Sequence, residues 1–205
     1  LMPMYQAEAI WLNFQGDYPV AIKRGAGKIN AVTGEGLREG LHRKPQDYLV
    51  IPEQPWLDGF AVSKGVIRQF VATPLGEGCS VEEQITGKGE FGGIQIQAYP
   101  LKARSYFDQT LKTSIPGSLA DLLPSLIKEK YARFFESRVE EYACYSLNDA
   151  DMGLGMGGRM QQEIYKDRHG LADWDSEKTS RCFVHLCNAM QWREITGDNP
   201  PQTPV

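Results

Sequence analysis

Residues Gly92–Leu101 read "GGIQIQAYPL". Ile94, Ile96 and Ala98 alternate with Gln95, Gln97 and Tyr99, so a strand here sends its aliphatic set to one face and its polar set to the other. The chain before it repeats the theme. "AIWLNF" (9–14) turns Ile10, Leu12 and Phe14 one way and Trp11 and Asn13 the other. "YPVAIK" (18–23), "DYLVI" (47–51), "GVIRQFVA" (65–72) and "SVEEQITG" (80–87) are further short apolar or β-branched runs, read as strands. Glycine-rich reversals such as "RGAGK" (24–28), "VTGEG" (32–36) and "TPLGEG" (73–78) separate them, and 14 of the 21 glycines precede residue 103. Six or seven short strands at this spacing predict an antiparallel β-sandwich or open barrel.

The pattern changes in "YPLKARSYFDQTLKTSIPGS" (99–118), a polar segment with Pro100, Pro116 and Gly117, read as a boundary or crossover. Beyond it Leu119, Leu122, Leu123, Leu126, Ile127, Tyr131, Phe134 and Phe135 recur at helical spacing, predicting one long helix that starts near Pro124. "RMQQEIY" (159–165) and "RCFVHLC" (181–187) suit strands. "AMQWREITG" (189–197) suits a short helix stopped by Gly197, with "DNPPQTPV" (198–205) as an extended tail. The expected fold class is therefore α+β: the sandwich or barrel, one long helix, and a mixed C-terminal segment packed onto it. A β-rich half (1–102) and a helix-plus-mixed half (103–205) are expected to form one cooperative domain.

Charge narrows the partners. The first half carries 10 basic and 11 acidic side chains and the second 12 and 15, so neither has the basic excess of a nucleic-acid binder. No apolar run approaches the roughly 20 residues that span a bilayer, and no secretory leader pattern opens the chain. Cys79, Cys144, Cys182 and Cys187 form no C-x-x-C pair; buried, reduced thiols and a cytoplasmic setting are expected.

"DADMGLGMGGRMQQEIYKDRHG" (149–170) contains G-x-G-x-x-G at Gly153, Gly155 and Gly158, yet no buried strand is expected to lead into it and no clear helix to leave it. The stretch is read as a flexible glycine turn, with an anion nest around Arg159 as the alternative. Met152, Met156 and Met160 are read as gap-filling core residues rather than a copper site. His42, His169 and His185 lack metal-ligand spacing, so neither a metal nor a cofactor is expected.

The acids offer more. Glu163, Asp167, Asp173 and Asp175 lie within 13 residues, interleaved with Tyr165, His169 and Trp174; Trp56 stands near Asp58 in "EQPWLDG" (53–59). Aromatic platforms beside carboxylates suit sugar binding or glycosidic-bond chemistry. The leading expectation is small-molecule or carbohydrate binding through Trp56, Asp58, Arg159 and Trp174, in a cleft between the β half and the C-terminal loops. The alternatives are a glycosidase-like hydrolase using Glu163, Asp167, His169, Asp173 and Asp175, or an interaction and assembly subunit, a homo-oligomer included, that works through edge strands and the proline tail.

Overall fold

A computed structural model describes residues 1–114 and 151–200. The stretch Gly92–Leu101 supplies β10 (Ile94–Pro100), an inner strand of a five-stranded sheet. It runs antiparallel to β4 (Val20–Ala26) on one side and to β12 (Ser180–Val184) on the other. Two shorter strands, β5 (Ile29–Asn30) and β6 (Leu49–Ile51), continue this sheet beyond β4.

The second sheet has six strands and is organised around β9 (Val66–Pro74). Antiparallel to β9 run β2 (Ala9–Ile10), β8 (Gly59–Ser63) and β11 (Asp151–Gln161). Beyond β11 come β13 (Leu186–Asn188) and, parallel to it, β1 (Met2–Met4). A two-stranded ribbon, β3 (Leu12–Asn13) with β7 (Trp56–Leu57), stands beside them. Strands from before residue 103 and after residue 150 thus share both large sheets.

The sheets face each other across one apolar core. Ala26, Ile29, Leu49 and Ile94 from the first meet Met4, Phe60, Phe70, Ala72, Met152, Leu154 and Leu186 from the second. A second cluster, with Tyr18, Val20, Tyr48, Leu101 and Trp174, closes the end where β4 begins. Every residue of β4 is buried, so its two charged side chains need internal solutions. Lys23 is paired with Asp47 at 2.7 Å. Arg24 points into the core, its guanidinium 3.5 Å from the centre of the Phe70 ring.

Several sequence expectations need correction. The described residues are mainly β with three short α-helices, not α+β with one long helix: α1 (Val81–Thr86), α2 (Ala103–Ser114) and α3 (Trp192–Thr196). The long helix expected to start near Pro124 lies outside the described residues, as does the tail beyond residue 200. "SVEEQITG" is α1 rather than a strand because Ser80 and Glu83 form a reciprocal capping box and Gly87 ends the turn in the left-handed region. The segment read as a boundary holds α2, while Gly197 does end α3, at φ 84°.

The glycine-rich stretch is not a flexible turn but the 11-residue β11. Its even positions Met152 and Leu154 enter the core, while the lead-in to α1 lies close against the odd ones. A Cβ at Gly153 would come 2.9 Å from Ser80 Cβ, and one at Gly155 would come 2.8 Å from Thr73 Cγ2 and 3.0 Å from the Cys79 carbonyl oxygen. The glycines are there for close approach of a neighbouring segment, not for chain reversal. The expectation of buried thiols also changes: Cys79 and Cys182 are exposed, Cys187 is buried, and Cys144 lies outside the described residues.

Candidate functional site

The segment Gln162–Asp167 leaves β11 without joining a sheet, so its peptide groups need other partners. Gln54 and Gln46 supply them, and Gln162 ties the segment's start to the chain at Trp56–Asp58. Gln162 accepts from the Asp58 N–H and donates to the Trp56 carbonyl at 3.4 Å. Gln54 donates to the Glu163 carbonyl and accepts from the Tyr165 N–H, at 3.0 and 2.8 Å. Gln46 donates to the Tyr165 carbonyl and accepts from the Asp167 N–H, both at 2.9 Å. A carboxamide carries a donor and an acceptor side by side, so Gln54 and Gln46 each imitate one rung of a strand edge. The segment is therefore laid in order along Trp56–Asp58, Gln54 and Gln46.

Asp167 anchors its far end. The buried carboxylate accepts from the Tyr48 hydroxyl at 2.6 Å, the Trp174 indole N–H at 3.0 Å and the His169 N–H at 2.8 Å. His169 lies edge-on to Trp174 and its Nδ1 meets the Gln109 amide at 2.9 Å. Burial, then the bond to Asp167, push the Tyr48 phenol above its ordinary value. Asp173 receives the Ser105 hydroxyl and the Gly170 N–H, and these two bonds hold its carboxyl below the usual range. Asp175 accepts from the N–H groups of Glu177 and Lys178, shaping a turn.

The sequence candidates therefore separate. Asp167, His169 and Trp174 come together in the interior, and Trp174 is only 3 % exposed. Asp173 and Asp175 flank it on the 170–178 turns. Arg159 stands on β11 across from Arg68. Trp56 and Asp58 lie beside the glutamine-held segment, and Glu163 lines an open groove of about 770 Å³ with Glu53, Tyr165, Arg43, Lys166 and Arg168. An adjoining hollow shares Arg43 and Lys166 and adds Lys44. Arg43 does not sway freely, because its Nη2 donates to the Asp167 carbonyl at 2.7 Å.

The β3–β7 ribbon adds an aromatic face beside this groove. Leu12 pairs with Leu57 and Asn13 with Trp56, and Trp11 and Asp58 are the residues next to the Leu12–Leu57 pair. Leu57 is fully buried, so the alternating partners Trp11, Asn13, Trp56 and Asp58 form the outward side. Trp11 is 65 % and Trp56 42 % exposed. Trp56 stands opposite Asn13, and Trp11 and Asp58 are each two residues along their own strands from that pair. Burial raises the Asp58 carboxyl above its ordinary value. Trp11 and Asn13 were legible as outward residues in "AIWLNF", but their meeting with Trp56 was not.

A second polar cluster was also missed. Asp47 binds Lys23, the His42 N–H at 2.8 Å and His42 Nδ1 at 2.9 Å, while its carbonyl accepts from Asn30. It clamps the 30–47 loop that carries Arg43. Among the described residues no group of three or more His, Cys, Asp and Glu side chains could hold a metal, and no helix is long and apolar enough to cross a membrane.

Fold and surface together define a mainly β protein with an exposed tryptophan pair and a groove lined by charges. Compared with protein-family models, with curated proteins and with solved structures, the chain matches none.

Proposed function

We propose that the protein binds a polyhydroxylated small molecule, a saccharide of two or three rings, on the Trp11–Trp56 face and in the adjoining groove. The observation that carries this reading is the pair of exposed indoles, Trp11 and Trp56, brought to the β3–β7 ribbon together with Asn13 and Asp58. The apolar C–H faces of a sugar ring suit an indole, and its hydroxyls suit Asn13 and Asp58. Exposed tryptophans cost solvation without an occupant, and a two-stranded ribbon orders them in advance, which lowers the entropy lost on binding. The hydrolase alternative has no such support, since Asp167, Asp173 and Asp175 each spend carboxylate oxygens on bonds within the fold.

Titration of intrinsic tryptophan fluorescence with a panel of neutral and acidic oligosaccharides tests the reading. Saturable quenching is expected, weakened at least about tenfold by Trp56→Ala or Trp11→Ala, as for loss of one aromatic anchor. Both residues are exposed, so the variants keep their fold. A panel without a single saturable response would refute the proposal.

A further inference from the structure

We infer that the ligand carries carboxylates: the groove next to the tryptophan face is built for an acidic saccharide. This inference rests on the saccharide reading and deepens it. Four cations, Arg43, Lys44, Lys166 and Arg168, line the groove and the adjoining hollow against three carboxylates, Glu53, Glu163 and Asp167. Asp167 is buried, its oxygens occupied by the Tyr48 hydroxyl, the Trp174 indole and the His169 N–H, so it offers no exposed carboxylate to a ligand. Groove and hollow together thus carry one cation more than they carry carboxylates, on a chain whose net charge is -4.

Position matters more than the tally. Arg43 is half-buried and its guanidinium is tied through Nη2 to the Asp167 carbonyl, so its position in the wall is set before any ligand arrives. A planar guanidinium fixed in this way matches a carboxylate's two oxygens better than a swinging ammonium does. Lys166 sits on the segment that the glutamines hold in register with Trp56 and Asp58, and Arg168 directly follows it. A sugar ring stacked on Trp56 would set the acid group of a neighbouring ring toward these cations.

The test compares trigalacturonic acid with its trimethyl ester, which keeps the skeleton and removes the charge. Binding is read by tryptophan fluorescence at 20 mM and 300 mM salt. The acid is expected to bind about tenfold more tightly than the ester at low salt, and the gap to close at high salt as the charges are screened. Lys166→Glu with Arg168→Glu, both exposed, should abolish the acid's advantage, read as the ratio of acid to ester affinity at low salt. Equal binding of acid and ester at low salt, or an advantage that survives the double variant, would overturn the inference while leaving the saccharide reading standing. Binding of neither probe would overturn the inference at its base, and the oligosaccharide panel then decides the broader reading.

Discussion

Replacing Arg24 by methionine is expected to stabilise this protein. The guanidinium is completely buried, and none of its three nitrogens has a hydrogen-bond partner among the described residues. What it has is the face of Phe70 at 3.5 Å and, more distantly, Phe60 at 6.0 Å. A desolvated cation–π contact returns about 2 kcal/mol, whereas removing one ion from water costs several kcal/mol after relaxation. Methionine is similarly long and unbranched, and its sulfur returns about 0.3–1.5 kcal/mol against an aromatic ring. The balance favours Arg24→Met by about 1–4 kcal/mol, raising Tm by about 2–4 °C for each kcal/mol in a chain of this length.

Urea unfolding at pH 7 measures that gain, and its pH dependence tests the cause. Burial lowers the Arg24 pKa to about 9. Below that pH the guanidinium is charged in both folded and unfolded chains, so the full penalty applies. As pH rises through 9 the folded form sheds its proton while the unfolded form stays charged, so the wild type gains stability relative to the variant. The advantage of Arg24→Met should therefore shrink between pH 8.5 and 10. A variant less stable than wild type by more than about 1 kcal/mol, the usual net worth of a hydrogen bond, would show that the guanidinium has an acceptor, and the reasoning would fail.

Other substitutions probe the remaining arrangements. Asp167→Asn puts an amide donor in place of an acceptor facing the Tyr48 hydroxyl and the Trp174 indole; a loss of about 3 kcal/mol is expected in chemical denaturation. Gly155→Ala should cost about 1–3 kcal/mol through contact with Thr73 and the Cys79 carbonyl, while Gly158→Ala, whose new Cβ meets nothing nearer than 4.0 Å, should stay near wild type in the same thermal melts. Burial pushes the Glu83 carboxyl up, but bonds from the Ser80 hydroxyl and the N–H groups of Gly78, Ser80 and Gly76 outweigh this and hold it below its ordinary value. Its contribution is full above the unfolded pKa near 4.3 and is lost as pH falls through the lower folded value. Glu83→Gln should flatten that part of the acid-unfolding curve, by less than about 1 kcal/mol because the group is partly solvated.

How far the sequence could be read depended on the range of the forces involved. The alternation in "GGIQIQAYPL" and the Gly197 stop act within a few residues, and both elements form where they were expected. The capping box of α1 is equally local, but the apolar run around it suggested a strand, and the cap prevails because it satisfies backbone N–H groups that a strand at that place would leave unpaired. Trp56, Asp58 and Glu163 were picked out as candidates in the chain. Arg43, Lys166 and Arg168 were not, since nothing in their own surroundings distinguishes them from solvated surface charges.

Local chemistry by itself thus determined the β-rich character, the outward set of "AIWLNF" and the short terminal helix, since side-chain period and turn geometry are properties of neighbouring residues. Tertiary structure alone decided that a glycine stretch becomes a strand, because the crowding that requires those glycines comes from a segment about 75 residues earlier. It also decided the site. The glutamines at 46 and 54 support peptide groups more than 100 residues away, and a hydrogen bond between distant residues exists only once the fold has brought them together.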